Sequence, residues 1–387
     1  MKILFWIGYA NPYWDKSTWE KGGIGGSEYC VLKLADYLDT AGHDVTITGD
    51  VNEGNWYGVK YIHYTNLQKY QGPIGLSKVN SLEAYPHYDV VIATNYIHYL
   101  RHLEELNIKF DRNYFWMHNE DFYRWYRGGE MPQWESWLSK IDKIVGVSEY
   151  HKEKILKKRF KALGYTPQQL NTYIHSIDNA ICLYDYQNRK TLDKIPGRIV
   201  WSSSPDRGLD FILDNWLKWK QVRPDLSLAI LSPPYGAGWF NRDISNLPDV
   251  VWQGARCPID LKNEIDKAEY WIYVSDYNET YCISALEMMM GGVKILTNGT
   301  GNIKNLIGMG SRGEMIDMID PDVVSDILLR DKMDIEFNNR WVMKAKIAQR
   351  WVQTQNWDDR VKQWVNLISK PTMVAGIPSI SEYDNRY

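Results

Sequence analysis

Glu279 and Glu287 stand eight residues apart at the start of a segment with helical apolar spacing, and an apolar run from Ala268 to Asp276 leads straight into them. The order is strand, short polar loop, helix, with one carboxylate at the loop and the other two turns inside the helix. At the usual rise per residue the two Cα atoms would lie roughly 12 Å apart along the axis, comparable to the distance between sugar and ribose in a nucleotide-diphosphate sugar. Between them, Thr280, Tyr281 and Cys282 would present the free N–H groups and positive dipole of a helix N-terminus to a diphosphate. One short segment could then hold three parts of one ligand.

Three further segments carry related chemistry. Gly22-Gly23-Ile24-Gly25-Gly26-Ser27-Glu28 opens a helix after a long loop, with Ser27 as its expected N-cap. Glycines let the backbone approach an anion, and four of them in five positions exceed what a helix start requires. The G-x-G-x-x-G dinucleotide fingerprint is broken here at Glu28, although Asp50 falls near the place of a ribose-binding acid. His118 follows the apolar strand Tyr114–Met117, in Trp116-Met117-His118-Asn119-Glu120-Asp121. A strand-end imidazole can exchange hydrogen bonds with a reacting centre, whereas a lone histidine is more often structural; its position at a strand end adds weight to the first reading. Trp201-Ser202-Ser203-Ser204-Pro205-Asp206-Arg207-Gly208-Leu209-Asp210 is again strand, loop, helix, and Arg207 can grip phosphate oxygens bidentately. The plain alternative is a capped turn with a solvated arginine. Asp320-Pro321-Asp322 has the spacing of a metal-binding pair, but its proline reads as a turn, so no metal site is assigned.

Positioning these loops takes alternating strands and helices, and the chain supplies them. Strands are expected at Lys2–Ile7, Asp44–Thr48, Val59–His63, Val90–Ala93, Tyr114–Met117 and Lys143–Val147, with helices at Ser27–Thr40 and His151–Leu163. A second series covers Arg198–Trp201, Ser227–Leu231, Val250–Gln253, Tyr270–Val274 and Lys294–Thr297, after a polar linker from Asn179 to Pro196. This is an α/β pattern of parallel strands with crossover helices, and 387 residues suit two cores. In such sheets ligands bind beyond the carboxyl ends of strands, where the candidate residues fall. The last twenty residues read as an irregular tail.

Composition narrows the function classes. A formal net charge of −3 gives no pull toward nucleic acid. Cys30, Cys182, Cys257 and Cys282 show neither zinc nor disulfide spacing, which fits a reducing, cytoplasmic setting. Met1–Ile7 is apolar but too short for a span and reads as the first strand. The 18 Trp and 27 Tyr against 8 Phe suit carbohydrate, whose C–H faces stack on rings, although each ring singly is more often core or rim.

Taken together, these segments resemble the retaining glycosyltransferases of the GT-B fold, the group that includes glycogen synthase-like and mannosyltransferase enzymes. Glu279 through Glu287 matches that family's Glu-x7-Glu signature. The Gly-Gly-Ser-Glu loop, the histidine after a strand, Ser148-Glu149 and the Ser203–Asp210 loop match in the same order. The resemblance implies two Rossmann-like domains facing across a cleft, with a closing helix, beginning Trp357-Asp358-Asp359-Arg360, that crosses back to the first. The domains would be an acceptor domain over residues 1–182, a donor domain over 183–355, and the crossing helix with its tail over 356–387. It further implies that Glu279 contacts the transferred sugar, Glu287 the ribose diol, and His118 the anomeric centre. Arg207, with Ser203 and Ser204 and the backbone of Thr280, Tyr281 and Cys282, would hold the diphosphate. Gly25 and Gly26 would pack against the diphosphate or acceptor. No metal or cofactor is implied, the donor being a GDP- or UDP-sugar. Three departures stand out: only Arg207 is basic where the family pairs Arg with Lys, the signature's Phe-Gly is Tyr281-Cys282, and an Asn-Gly motif has become Asn179-Ala180-Ile181-Cys182.

The expected activity is transfer of a sugar to a saccharide or lipid-linked saccharide. A non-catalytic carbohydrate- or nucleotide-binding protein, a nucleotide-sugar epimerase and a phosphorylase are the alternatives; the broken fingerprint speaks against a nicotinamide dehydrogenase. Peripheral membrane contact would use the basic run Lys152, Lys154, Lys157, Lys158 and Arg159, a pattern that more often marks a solvated face.

Overall fold

A computed structural model describes residues 1–8, 10, 12–67, 86–94, 97–120, 134–187 and 192–370. Asp121 and most of the expected irregular tail lie outside the described residues. The chain divides into two units: Met1–Tyr13, Val31–Asp178 and the described residues from Arg360 onward form the first, and Trp14–Cys30 with Asn179–Asp359 the second.

Strands β1 (Lys2–Trp6), β2 (Asp44–Gly49), β3 (Gly54–Trp56), β4 (Val59–His63), β5 (His87–Thr94), β6 (Lys109–Met117), β7 (Lys143–Gly146) and β8 (Ile174–Ser176) belong to the first unit. They form one sheet in the order β3-β4-β2-β1-β5-β6-β7-β8. All its pairings are parallel except β3 with β4. The second unit holds β9 (Ile195–Trp201), β10 (Ser227–Leu231), β11 (Val250–Gly254), β12 (Ala268–Tyr273), β13 (Lys294–Thr297) and β14 (Glu314–Met315), ordered β11-β10-β9-β12-β13-β14 and parallel throughout. Central parallel strands are covered on both faces, which is why Ile3–Trp6 and Tyr270–Tyr273 are unbroken apolar runs with every side chain buried.

The helices are α1 (Lys16–Gly22), α2 (Gly26–Thr40), α3 (Tyr99–Glu105), α4 (Trp134–Leu138), α5 (Lys157–Ala162, continuing a π-helical segment over His151–Leu156), α6 (Pro167–Tyr173) and α7 (Leu209–Val222). They continue with α8 (Pro258–Lys267), α9 (Ile283–Met290), α10 (Ile303–Leu306), α11 (Pro321–Met333), α12 (Ile335–Val352) and α13 (Trp357–Ser369). Among these helices none is long and apolar enough to cross a membrane.

Tryptophan does much of the packing. Trp6, Trp116, Trp201, Trp216, Trp219, Trp271, Trp341, Trp357 and Trp364 are among the largest fully buried side chains, half of the 18 in the sequence. At least half of the tryptophans are therefore core residues. Under β12 and β13 the core also takes charge. Lys294 Nζ bonds Asp331 at 2.7 Å and Glu269 at 3.0 Å, and the Tyr270 hydroxyl donates to Asp331. Within the first unit, the part of α13 from Arg360 onward packs on β6: Trp364 meets Trp116 edge-on at 4.9 Å, and the Tyr114 hydroxyl donates to the Leu367 carbonyl at 3.2 Å.

Candidate functional site

In the second unit the chain runs from β9 outward through β10 and β11, then returns to lay β12 on the other side of β9. The loops leaving the carboxyl ends of β9 and β12 therefore diverge at a topological switch point, the usual ligand crevice of such sheets. Gly208 lets them touch: its φ is +112°, and a Cβ there would lie 2.6 Å from the Val274 carbonyl oxygen. The contact sets Arg207 beside the β12 loop. Its guanidinium lies over the Tyr277 ring, 3.3 Å from the centroid, with Nη1 3.5 Å from Glu279 Oε1. Glu279 is buried, and the Tyr273 hydroxyl donates to the same oxygen. Burial raises the Glu279 carboxyl above its ordinary range, with Arg207 opposing that rise. Burial also works against the charge of Arg207, but Glu279 and the neighbouring tyrosines outweigh it and hold the guanidinium firmly protonated.

The serine positions complete this loop. Ser203 Oγ is 3.3 Å from Ser284 Oγ in α9. Ser204 Oγ, Ser202 Oγ and Arg207 Nε are buried and have no hydrogen-bond partner among the described residues. Three donors left open in one loop at a switch point is an uncommon arrangement, because buried polar groups are nearly always paired.

Glu279 and Glu287 do not share a helix. The helix α9 begins at Ile283, so Glu279 sits in the preceding loop and Glu287 is the fifth helical residue, little more than one turn in. The 12 Å helical spacing expected from sequence therefore does not apply. Cys282 is the reason: as N-cap it takes φ +85° and ψ +84°, a backbone turn that a helix cannot contain. Thr280 and Tyr281 are buried loop residues held by the segment after β13. Asn302 N–H donates to the Glu279 carbonyl at 2.8 Å, and Asn302 Nδ2 reaches the Tyr281 carbonyl at 3.4 Å. Gly301, at φ +65°, makes that approach possible, since a Cβ would stand 2.4 Å from the Glu279 nitrogen. Asn298 and Thr300 both donate to the Ser275 carbonyl, each at 2.7 Å. Sequence reasoning missed this brace, although two glycines in a polar loop straight after a strand were its signal.

Glu287 lies on α9 in a second cluster. Burial pushes its carboxyl up to about 7, with Lys262 opposing and Asp185 adding to the rise. Lys262 Nζ donates to the Asp185 carbonyl at 2.7 Å and sits 4.7 Å from the Tyr186 ring centre. The half-buried Tyr29 lies in the field of Asp185, Cys182, Tyr186 and Glu287. Lys262, Asp185 and Tyr186 were not singled out from sequence, because nothing in their spacing distinguishes them from surface residues.

The glycine-rich segment groups with the second unit. Helix α1, capped by a reciprocal Asp15–Thr18 box, precedes it and was not expected. Gly25 has a specific occupant beside it: a Cβ there would meet Glu28 Oε2 at 2.3 Å and Tyr235 Cε1 at 3.1 Å. A Cβ on Gly26 would make ordinary contact with Ile283. Because α2 starts at Gly26, Ser27 is not its N-cap but lies inside the helix, where its hydroxyl donates to Glu28 at 3.1 Å.

His118 belongs to the first unit. It is buried 4.6 Å from the Trp116 ring, and burial, with His151 adding, lowers its pKa to about 3, so the imidazole is neutral. His151 ties the loops together: its Nδ1 accepts from Val147 N–H at 3.3 Å, leaving Nε2 to donate to the Asn119 carbonyl at 3.1 Å. Ser148 Oγ accepts from His151 N–H, and Glu149 takes Ser176 Oγ and Lys152. Asp50 pairs with His63 and Ala10 N–H. Asp320 caps α11 through Asp322 N–H, with Pro321 at the first helical position.

No protein-family model matches the chain. A lipopolysaccharide 1,2-N-acetylglucosaminetransferase of Salmonella typhimurium is 21% identical over 176 residues, covering 42% of this chain; the match spans less than half, 46%, of that relative's length. Solved structures align over nearly all of the chain. Sucrose-phosphate synthase from Thermosynechococcus elongatus has a TM-score of 0.64 at 13% identity, over 95% of this chain and 98% of its own. Anabaena HepE, in complex with UDP and glucose, has a TM-score of 0.64 at 12% identity, over 96% and 100%. A glycosyltransferase from Rickettsia africae scores 0.64 at 13% identity, over 95% and 98%. With two parallel α/β units and these likenesses, the chain has the GT-B glycosyltransferase fold.

Proposed function

We propose that this protein is a retaining glycosyltransferase that takes a sugar from a nucleotide-diphosphate donor, a UDP-sugar first and a GDP-sugar second. The observation that carries the proposal is the set of open donors at the switch point: Arg207 Nε, Ser204 Oγ and Ser202 Oγ, beside a guanidinium already stacked on Tyr277. A diphosphate offers acceptors only, so it satisfies all three at once. Glu279, one loop away, accepts hydroxyls of the transferred sugar, and Glu287 on the following helix accepts the ribose diol. The uridine preference rests on the UDP bound in HepE.

In the proposed transfer the acceptor hydroxyl attacks the anomeric carbon on the face from which the leaving group departs. The bond from that carbon to the diphosphate oxygen breaks, and its electron pair stays on the oxygen. The acceptor's proton passes to that same oxygen. Arg207 and the N-terminus of α9 stabilise the charge, which removes the need for a divalent cation. His118, in the first unit, is neutral at physiological pH and could act only as a hydrogen-bonding group, not as a charge. The proposed acceptor is a saccharide or a lipid-linked saccharide, and the proposed setting, from the cysteine spacing, is the cytoplasm.

A thermal-shift screen of UDP, GDP, ADP and dTDP, with and without Mg²⁺, tests the donor site. A nucleotide at one hundred times its dissociation constant adds about 2.7 kcal/mol. A shift with UDP that ignores Mg²⁺ and is lost in Arg207→Ala and Glu287→Ala is expected; no shift with any nucleotide overturns the proposal.

A further inference from the structure

Exposed large apolar side chains are unevenly spread over the described residues. The first unit shows only Tyr13 and Tyr57, whereas the stretch from Met309 to Ile347 shows eight, including Met333 at 76% and Ile335 at 72% exposure. Helix α12 organises them. Its inner face is filled by Phe337, Trp341, Ala345, Ala348 and Val352. Its outer face puts Met343 and Ile347, one turn apart and about half exposed, between Arg340, Lys346 and Arg350. Glu336 is the sole acid on that face. Arg340, Lys346 and Arg350 form no salt bridge among the described residues, so their charge is uncompensated. The face continues sideways: Lys344 bridges to Glu314 on the edge strand β14 at 2.8 Å, and Arg312 stacks on Trp351 at 4.0 Å, beside the loop that carries Met309.

We propose that the outer face of α12 rests on an anionic phospholipid surface. A row of unbranched and branched apolar side chains flanked by free arginine and lysine is what an interfacial helix presents to acyl chains and headgroups. The occupant is selected by charge. A second copy would bring the same three cations against these three, and the apolar centre suits lipid better than nucleic acid. The basic run on the first unit is the weaker candidate for the same role. There, Lys152 and Lys157 are paired with Glu149 and Glu153, and no exposed large apolar residue accompanies them.

Co-sedimentation of the full chain with extruded vesicles tests this, using phosphatidylcholine alone and phosphatidylcholine with a minority of phosphatidylglycerol. Binding to the anionic vesicles only, weakening with added salt, is expected. Arg340→Glu with Lys346→Glu should reduce partitioning roughly thirty-fold or more, and Met343→Glu with Ile347→Glu should abolish it. Lys154→Glu with Lys158→Glu should leave it unchanged. All four α12 positions are exposed, so the far-ultraviolet circular dichroism and melting of both double variants should match wild type. Failure to bind either vesicle overturns the proposal, as does binding that survives the α12 changes or is lost with the Lys154 and Lys158 pair. Concentration-dependent dimerisation abolished by Met343→Glu would assign the face to a second copy and overturn it equally.

Discussion

Glu287→Gln gives a pH-resolved test of the donor site. In the folded chain the Glu287 carboxyl titrates at about 7, against its ordinary 4.5. Between those values the folded state holds a proton that the unfolded state has released. Stability therefore falls as pH rises through the window, and it is flat below the window and above it. The full gap corresponds to about 3 kcal/mol. Glu287 is half-buried, so solvent screens part of that penalty and roughly 1–2 kcal/mol is expected. Glutamine keeps the shape and cannot ionise. Urea unfolding should find Glu287→Gln more stable than wild type by that amount at about pH 8, and equal to it near pH 4.5. Binding runs the other way. Ribose hydroxyls donate to the ionised carboxylate, so wild-type affinity for UDP-glucose, a diester that does not itself titrate here, should fall about tenfold for each pH unit below 7. The variant should bind weakly and evenly across the range. Matching pH profiles for the two proteins, in unfolding or in binding, would refute the reasoning.

Other perturbations read separate parts of the molecule. Gly301→Ala forces a Cβ to within 2.4 Å of the Glu279 backbone at φ +65°. It should cost roughly 2–4 kcal/mol in urea unfolding and remove nucleotide binding; a wild-type melting curve would show that the brace after β13 is dispensable. Cys282→Gly relieves a left-handed residue and should raise stability by about 1 kcal/mol, whereas a loss would mean that packing of the buried thiol outweighs backbone strain. Lys294→Ala leaves the buried Asp331 and the half-buried Glu269 without their cation and should cost about 3–5 kcal/mol in the same assay. Because His118 is already neutral well above its pKa of about 3, turnover of a nucleotide sugar should show no acid limb between about pH 5 and 8 that disappears in His118→Gln.

The strand ladder was readable because parallel central strands are apolar throughout: most expected strands coincide with observed ones to within a few residues. What escaped were short edge and capping elements. The strands β3, β8 and β14 have too few residues for any period to show. Helix α1 is announced by the Asp15–Thr18 box and not by apolar spacing, since none of its residues is buried. At the site, Arg207, Glu279 and the serines were legible as polar residues just after strands. Tyr273 and Tyr277 were not, because a tyrosine in a strand or next to one reads as packing until its hydroxyl or ring is seen to have a charged partner.

Arg207 shows how this site can be both stable without ligand and ready for one. A guanidinium buried near a carboxylate would ordinarily form a short bidentate pair, and breaking that pair would cost the incoming phosphate most of what it gains. Here the ion pair is long, 3.5 Å through one nitrogen, and Glu279 is already engaged by the Tyr273 hydroxyl. Orientation comes instead from the Tyr277 ring, which holds the plane of the guanidinium while Nε, 3.6 Å from the exposed Asp206 carboxylate, keeps no hydrogen-bond partner among the described residues. Stacking and hydrogen bonding use different directions of the same group, so a phosphate can take the edge without displacing the ring. Tyr277→Leu should therefore weaken donor binding more than Tyr277→Phe, which keeps the ring and loses only the hydroxyl. Equal losses from both would show that the hydroxyl, and not the ring, positions Arg207.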